Sequence, residues 1–129
     1  MNVVVRTLPE QKLIFHWSFM NWITINSTEE VEQIYKSSEY AIIYKHSPRC
    51  MTSLMAYRQL KSDVNTVPHV NVPLYIVDVV NNRSESMSIA NSFNVQHESP
   101  QLLVVKNGEC VFDASHEDIS LHDTLSYFQ

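Results

Sequence analysis

From Trp22 to Ile25 the chain alternates along a run of β-formers, the pattern of a short strand. Ser27-Thr28-Glu29-Glu30 follows as a capping box, with Ser27 as N-cap and Glu30 reaching back to it. Val31, Ile34 and Tyr35 then make one apolar helical face, and the helix is expected to end near Ser37 or Ser38. Tyr40-Ala41-Ile42-Ile43-Tyr44 is a continuous apolar run, as in strands covered on both faces. Leu54, Tyr57, Leu60 and Val64 recur at helical spacing, and Pro68 and Pro73 punctuate a loop beyond them. Leu74 to Val80 reads as another buried strand. A helix is expected from about Glu85 to Phe93, with Met87, Ala90 and Phe93 inward and Asn94 as a left-handed stop.

Gln101–Lys106 and Cys110–Asp113 flank Asn107-Gly108, the dipeptide preferred in a two-residue hairpin turn. Leu121, Leu125 and Phe128 mark a last helix, opened by Ser120 with Asp123 three residues on. The order is β-α-β-α-β-α-β-β-α. Parallel crossovers need covering helices, and a closing hairpin adds antiparallel strands. The expectation is an α/β, thioredoxin-like fold: a central mixed β-sheet flanked by helices, with a closing β-hairpin and a C-terminal helix. Residues 21–129 form this one domain. Residues 1–20 read as an N-terminal extension, whose apolar patch (Leu13, Ile14, Phe15, Trp17, Phe19, Met20) falls short of the ~20 apolar residues of a membrane span.

Composition narrows the chemistry. An apolar content of 44% suits a globular chain, and a net charge of −5 argues against a nucleic-acid partner. The single glycine, Gly108, excludes the glycine-rich phosphate loops. Six histidines show no zinc-ligand rhythm: His116-Glu117 begins like H-E-x-x-H, but Ser120 stands where the second histidine belongs, so no metal is expected. Two cysteines make no disulfide framework and point to a reducing cytoplasm.

One of those cysteines carries the candidate chemistry. Cys50 lies in Ser47-Pro48-Arg49-Cys50-Met51-Thr52-Ser53, past a strand and where a helix opens, and Ser53 occupies the place of a second cysteine in a C-x-x-C pair. Either Ser47 is the N-cap and Pro48 the first helical residue, or Cys50 itself lies near the cap. A helix N-terminus favours an anion, Arg49 adds a positive charge, and the thiolate is the nucleophile of disulfide exchange. Ser53 cannot complete an internal bridge, so a second sulfur must come from elsewhere. Cys110, on the closing strand beside Val111 and Phe112, reads as a packed thiol. It would resolve Cys50 only at the ~5.5 Å Cα separation a disulfide needs.

Pro100, in His97-Glu98-Ser99-Pro100, falls directly before a strand, where thioredoxin-like domains place a cis-proline facing the reactive sulfur. The Ser99 backbone can then pair with an extended, thiol-bearing substrate. His97 is a candidate for a substrate carboxylate or for the thiolate. Asp113-Ala114-Ser115-His116 is read as following the last strand and preceding the final helix, whose start is a possible anion site. Asp78, near a buried strand end, is read as structural.

Taken together, these residues resemble the monothiol bacilliredoxin-like proteins of the bacillithiol system. The resemblance runs from about Asn21 to Phe128. It rests on Lys45-His46-Ser47 before Arg49-Cys50, Ser53 after it, His97-Glu98-Ser99-Pro100-Gln101, Lys106-Asn107-Gly108 and Asp113-Ala114-Ser115-His116. The family's reactive cysteine corresponds to Cys50 and its cis-proline to Pro100. Met51 and Thr52 depart from the proline and isoleucine usual after that cysteine.

The resemblance implies a monothiol thiol-disulfide oxidoreductase acting on S-thiolated client proteins. No cofactor would be tightly bound; bacillithiol, or a similar low-molecular-weight thiol, would be the co-substrate. Arg49, Thr52, Ser53, His97, Ser99, Pro100, Ser115 and His116 would line its site, with Arg49, His97 and Ser115 toward the malate carboxylates of bacillithiol. The alternative readings are a non-catalytic redox sensor or adaptor thiolated at Cys50, and an iron–sulfur carrier of the monothiol glutaredoxin type.

Overall fold

The capping box forms as the sequence dictates. Ser27 Oγ accepts the Glu30 amide at 3.3 Å while Glu30 Oε1 accepts the Ser27 amide at 3.1 Å, together satisfying two donors of the first turn. Helix α1 (Thr28–Lys36) starts there and follows strand β1 (Trp22–Thr24). The computed structural model describes residues 22–66 and 72–128. The extension 1–20, Asn21 and the expected turn at Pro68 lie outside the described residues. The remaining elements are β2 (Ala41–His46), α2 (Met51–Val64), β3 (Leu74–Asp78), α3 (Arg83–Phe93), β4 (Gln101–Lys106), β5 (Glu109–Ser115) and α4 (Leu121–Leu125), with short 3₁₀ turns at His116–Asp118 and Ser126–Phe128.

The sheet order is β1-β3-β2-β4-β5. Pairs β1·β3 and β3·β2 are parallel, whereas β2·β4 and β4·β5 are antiparallel. This is the thioredoxin-like α/β architecture expected. Strands β2 and β4 are buried on both faces, which explains their unbroken apolar runs. Alternation along β2 sorts the core into two layers. Ala41 and Ile43 pack with Val31 and Ile34 of α1 and Ile89 and Phe93 of α3. Ile42 and Tyr44 pack with Leu60 and Val64 of α2 and Leu121 of α4.

Some expectations need correction. Tyr35 is 41% exposed and leans edge-on against Phe93 instead of facing inward. In α3 the buried face is Ser86, Ile89, Ala90 and Phe93, and Met87 is only half-buried. Strand β3 stops at Asp78, whose carboxylate accepts the Val80 and Asn81 amides at 2.8 and 3.0 Å and turns the chain. Asp78 is thus structural, as its place near a strand end predicts. Asn94 adopts φ 55 and ends α3, and Asn107 and Gly108 adopt φ 54 and 74 in the hairpin. Strand β5 extends two residues past Asp113. A bulge lets Val105 pair with Cys110 while Val104 pairs with Phe112, so Cys110 turns toward the α1/α3 layer and Phe112 toward the α2/α4 layer.

Candidate active site around Cys50

The parallel strands β2 and β3 end at the same edge of the sheet, and β4 begins there because Lys45 pairs with Gln101. Three connections therefore meet at that edge: the turn Ser47–Cys50, the loop after Asp78, and the loop running into Pro100. Helix α2 opens from the first of them.

Cys50 is the N-cap of α2, in extended conformation, and Met51 is the first helical residue. Of the two alternatives, the cap at Cys50 holds; Ser47 and Pro48 lie in the preceding turn, closed by the Cys50 amide donating to the Ser47 carbonyl at 3.1 Å. The Cys50 carbonyl accepts the Leu54 amide at 3.0 Å, and its side chain makes no capping bond. An N-cap side chain normally accepts from the second or third helical amide. The sulfur thus occupies an anion-favouring position with its own hydrogen-bonding capacity unspent. The first turn of α2 carries no acidic residue to oppose a negative charge. Cys50 is partly exposed, Arg49 and Met51 are exposed, and Thr52 is half-buried.

Ser53 differs from its expected role. It is 0% exposed, so it cannot meet a substrate. Its hydroxyl accepts the Ser47 amide at 2.8 Å and lies 3.0 Å from His46 Nδ1, while its carbonyl accepts the Tyr44 hydroxyl at 3.0 Å. Burial pushes the Tyr44 phenol up to about 12, against the Ser53 bond and with a further contribution from the neighbouring Cys50 and Tyr57, so it remains a donor. Burial also lowers His46, with Asp78 acting in the opposite sense. The rings of Tyr44, His46 and Tyr57 pack with centroids 4.9 to 6.0 Å apart beneath the turn. Tyr44, His46 and Tyr57 were not singled out from the sequence as site residues. The signal was present in a lysine and a histidine that extend an apolar strand toward a cysteine.

The Ser99–Pro100 peptide is cis. Pro100 is buried, and its carbonyl accepts the His116 amide at 3.0 Å. Among the described residues, none hydrogen-bonds the Ser99 backbone, and the buried Ser99 hydroxyl also lacks a partner. His97 is half-buried, with Nδ1 3.1 Å from Lys45 Nζ. Ser115 is the last residue of β5, paired with Gln101, and His116 begins a three-residue 3₁₀ turn with φ 58. The segment from Asp113 therefore ends β5 and passes through this 3₁₀ turn, and the final helix begins at Leu121 with Ser120 as its cap. His116 faces Glu98 at 3.7 Å.

Cys110 lies at the far end of the sheet. It pairs with Val105, and Val105 pairs with Ala41 at the start of β2, whereas Cys50 follows the end of β2. Burial, with Asp113 adding, pushes its thiol up to about 11, and it donates to the Phe112 carbonyl. The two sulfurs cannot bridge within one chain. Among the described residues, no group of three His, Cys, Asp or Glu side chains is placed to hold a metal ion, and no helix is long and apolar enough to cross a membrane.

A partly exposed cysteine capping a helix, at the sheet edge where a cis-proline also lies and with serine in place of a second cysteine, defines a thioredoxin-fold protein of the monothiol kind. Residues 23–124 match the family described as monothiol bacilliredoxin BrxC, and the chain belongs to that family. Among solved structures it is similar to a candidate oxidoreductase with a thioredoxin fold, at 31% identity, TM-score 0.71, covering 83% of this chain and 93% of that one. Thioredoxin from Malassezia sympodialis shares the fold at 19% identity, TM-score 0.67, with 91% and 96% covered. So does a thioredoxin variant from Halobacterium salinarum, at 14% identity, TM-score 0.62, with 90% and 96% covered.

Proposed function

We propose that the chain is a monothiol oxidoreductase that removes bacillithiol, or a similar low-molecular-weight thiol, from protein mixed disulfides in the cytoplasm. Its partners are S-thiolated client proteins and the free small thiol; neither nucleic acid nor membrane enters the reading. The observation that carries it is the cap of α2: its cysteine is partly exposed, and the position that would hold a resolving partner is a serine consumed inside the fold.

The chemistry follows from that arrangement. The Cys50 thiolate attacks the small-thiol sulfur of the client mixed disulfide. A bond forms between Cys50 Sγ and that sulfur, and the client leaves as a thiolate that takes up a proton. A second small thiol, as thiolate, attacks the small-thiol sulfur on Cys50, forming the symmetrical small-molecule disulfide and restoring the Cys50 thiolate. The net exchange consumes one mixed disulfide and one thiol, and yields one client thiol and one small disulfide. Free backbone groups at Ser99 would hold the incoming chain extended, and Arg49 would attract an anionic thiol.

Turnover is the test that separates an enzyme from a sensor. A client protein carrying bacillithiol should lose it in the presence of substoichiometric chain and excess bacillithiol, with many clients restored per chain. A burst limited to one client per chain would refute the enzymatic reading.

A further inference from the structure

Two buried polar side chains stand side by side where an all-apolar sheet would be cheaper. Lys45 is 0% exposed and Gln101 1% exposed, and they are directly paired on β2 and β4. Both grip the same short loop. Gln101 Nε2 donates to the Gln96 carbonyl at 3.0 Å, Gln101 Oε1 accepts the Glu98 amide at 3.4 Å, and Lys45 Nζ lies 3.1 Å from His97 Nδ1. Three consecutive residues, 96, 97 and 98, are thus anchored from below, and the cis peptide at Ser99–Pro100 follows at once.

The chemistry of the lysine contact fixes the histidine. Burial lowers Lys45 to about 8, so at neutral pH it is still mostly an ammonium, which has donors and no acceptor. His97 Nδ1 must then be the acceptor, and the ring proton resides on Nε2. Burial holds His97 below its ordinary pKa, with Lys45 and Arg83 acting in the same direction and Glu98 against. The imidazole is therefore neutral, with one N–H, and positive charge stands behind it. Nε2 has no partner among the described residues, and the side chain is only half-buried. An ammonium taken out of water is expensive for a fold to keep. Holding one imidazole in one tautomer gives it a purpose that packing does not.

We propose that Lys45 is a positioning residue that holds His97 with its proton on Nε2, and that this N–H receives a carboxylate of the small thiol carried by the incoming disulfide. The carboxylate half rests on the reading of Cys50 as the exchanging thiol; the tautomer half does not. Gln101 sets the loop, Arg83 contributes long-range attraction, and Glu98, drawn toward His116, is the one opposing charge nearby.

The experiment has two arms. Histidine-selective ¹⁵N labelling reads the ring directly in the full chain: His97 should show the Nε2–H form at pH 7. In Lys45→Met the lock should be lost, giving a mixture of tautomers and a raised His97 pKa. A wild-type ring protonated on Nδ1, or a ring unchanged in Lys45→Met, would overturn the assignment. The second arm compares one test protein carrying either bacillithiol or uncharged β-mercaptoethanol. His97→Leu should raise KM about tenfold for the first and leave the second within about twofold, with kcat little changed; His97→Gln, which keeps an N–H near the Nε2 position, should recover most of the loss. Equal losses on both disulfides would overturn the carboxylate contact. Absence of exchange with either disulfide would overturn the Cys50 reading together with that contact, while the tautomer is still decided by the first arm.

Discussion

Ser53 Oγ accepts the Ser47 amide at 2.8 Å, which ties the third residue of α2 back to the turn that delivers Cys50. The position where a dithiol protein keeps its second sulfur serves here as a clamp on the first. Ser53→Ala would strand a partly buried amide and loosen the turn. The expected loss is about 1–3 kcal/mol of stability, read by denaturant unfolding, with slower exchange.

Replacing the clamp by a thiol tests its chemical meaning. Ser53→Cys restores C-x-x-C spacing at a helix start, and oxidation should join Cys50 to the introduced thiol. Intact mass after alkylation under denaturing conditions should then show one remaining free thiol, Cys110. Release of the small thiol from Cys50 should then occur within one turnover without a second small thiol, as the introduced thiolate displaces it and forms the internal bridge; further turnovers need an added dithiol to reduce that bridge. Absence of single-turnover release would show that the introduced sulfur cannot reach Cys50.

Lys45 gives a pH signature with a definite sign. Folded, it titrates near 8, and unfolded near its ordinary value of ~10.4. Between these values the unfolded chain binds a proton that the folded chain lacks, so the lysine makes stability rise with pH; below about 8 the burial penalty is borne in full. Lys45→Met should stabilise the fold at pH 7 by about 2–3 kcal/mol, after allowing for the lost His97 bond. The gap to wild type should shrink toward pH 10. Taking the difference isolates the lysine, because Cys110 and Tyr44, raised to about 11 and 12, act in the opposite sense at alkaline pH.

The two cysteines should separate cleanly. At pH 7.5, limited iodoacetamide should label Cys50 and spare Cys110, whose thiol is held protonated by burial and the nearby Asp113. Cys110→Ala should leave exchange rates within about twofold. A large loss of turnover would place Cys110 in the reaction and contradict the sheet register.

The hairpin tip provides a purely structural control. Gly108 has φ 74, and a Cβ there would stand 3.2 Å from the Tyr35 ring and 3.3 Å from its carbonyl oxygen. Gly108→Ala should destabilise the fold by about 1–3 kcal/mol while leaving the chemistry of Cys50 intact.

Much of this was legible in the sequence because local signals and tertiary demands agree. Ser27 and Glu30 fixed the start of α1, Asn107-Gly108 fixed the hairpin, and the apolar runs of β2 and β4 announced strands covered on both faces. Periodicity failed where packing overrode it. Tyr35 has helical spacing, yet it lies on the rim over Gly108 and Phe93. Ser86 looks polar in sequence but is fully buried in α3. The bulge at Val111 was hidden because one extra residue leaves no compositional mark. Cys50 stood out through its neighbours, but the network beneath it did not. Tyr44 looked like core, and the contact between Lys45 and His97 joins residues 52 positions apart, a pairing only the strand register creates.

The central claim is that the partly exposed Cys50 at the start of α2 takes up the small thiol. Intact mass of wild type, Cys50→Ser and Cys110→Ala after treatment with oxidised bacillithiol measures this directly. The account predicts a single bacillithiol adduct on wild type and Cys110→Ala, removed by added bacillithiol, and none on Cys50→Ser. An equal adduct on Cys50→Ser, or no adduct on any of the three, would contradict it.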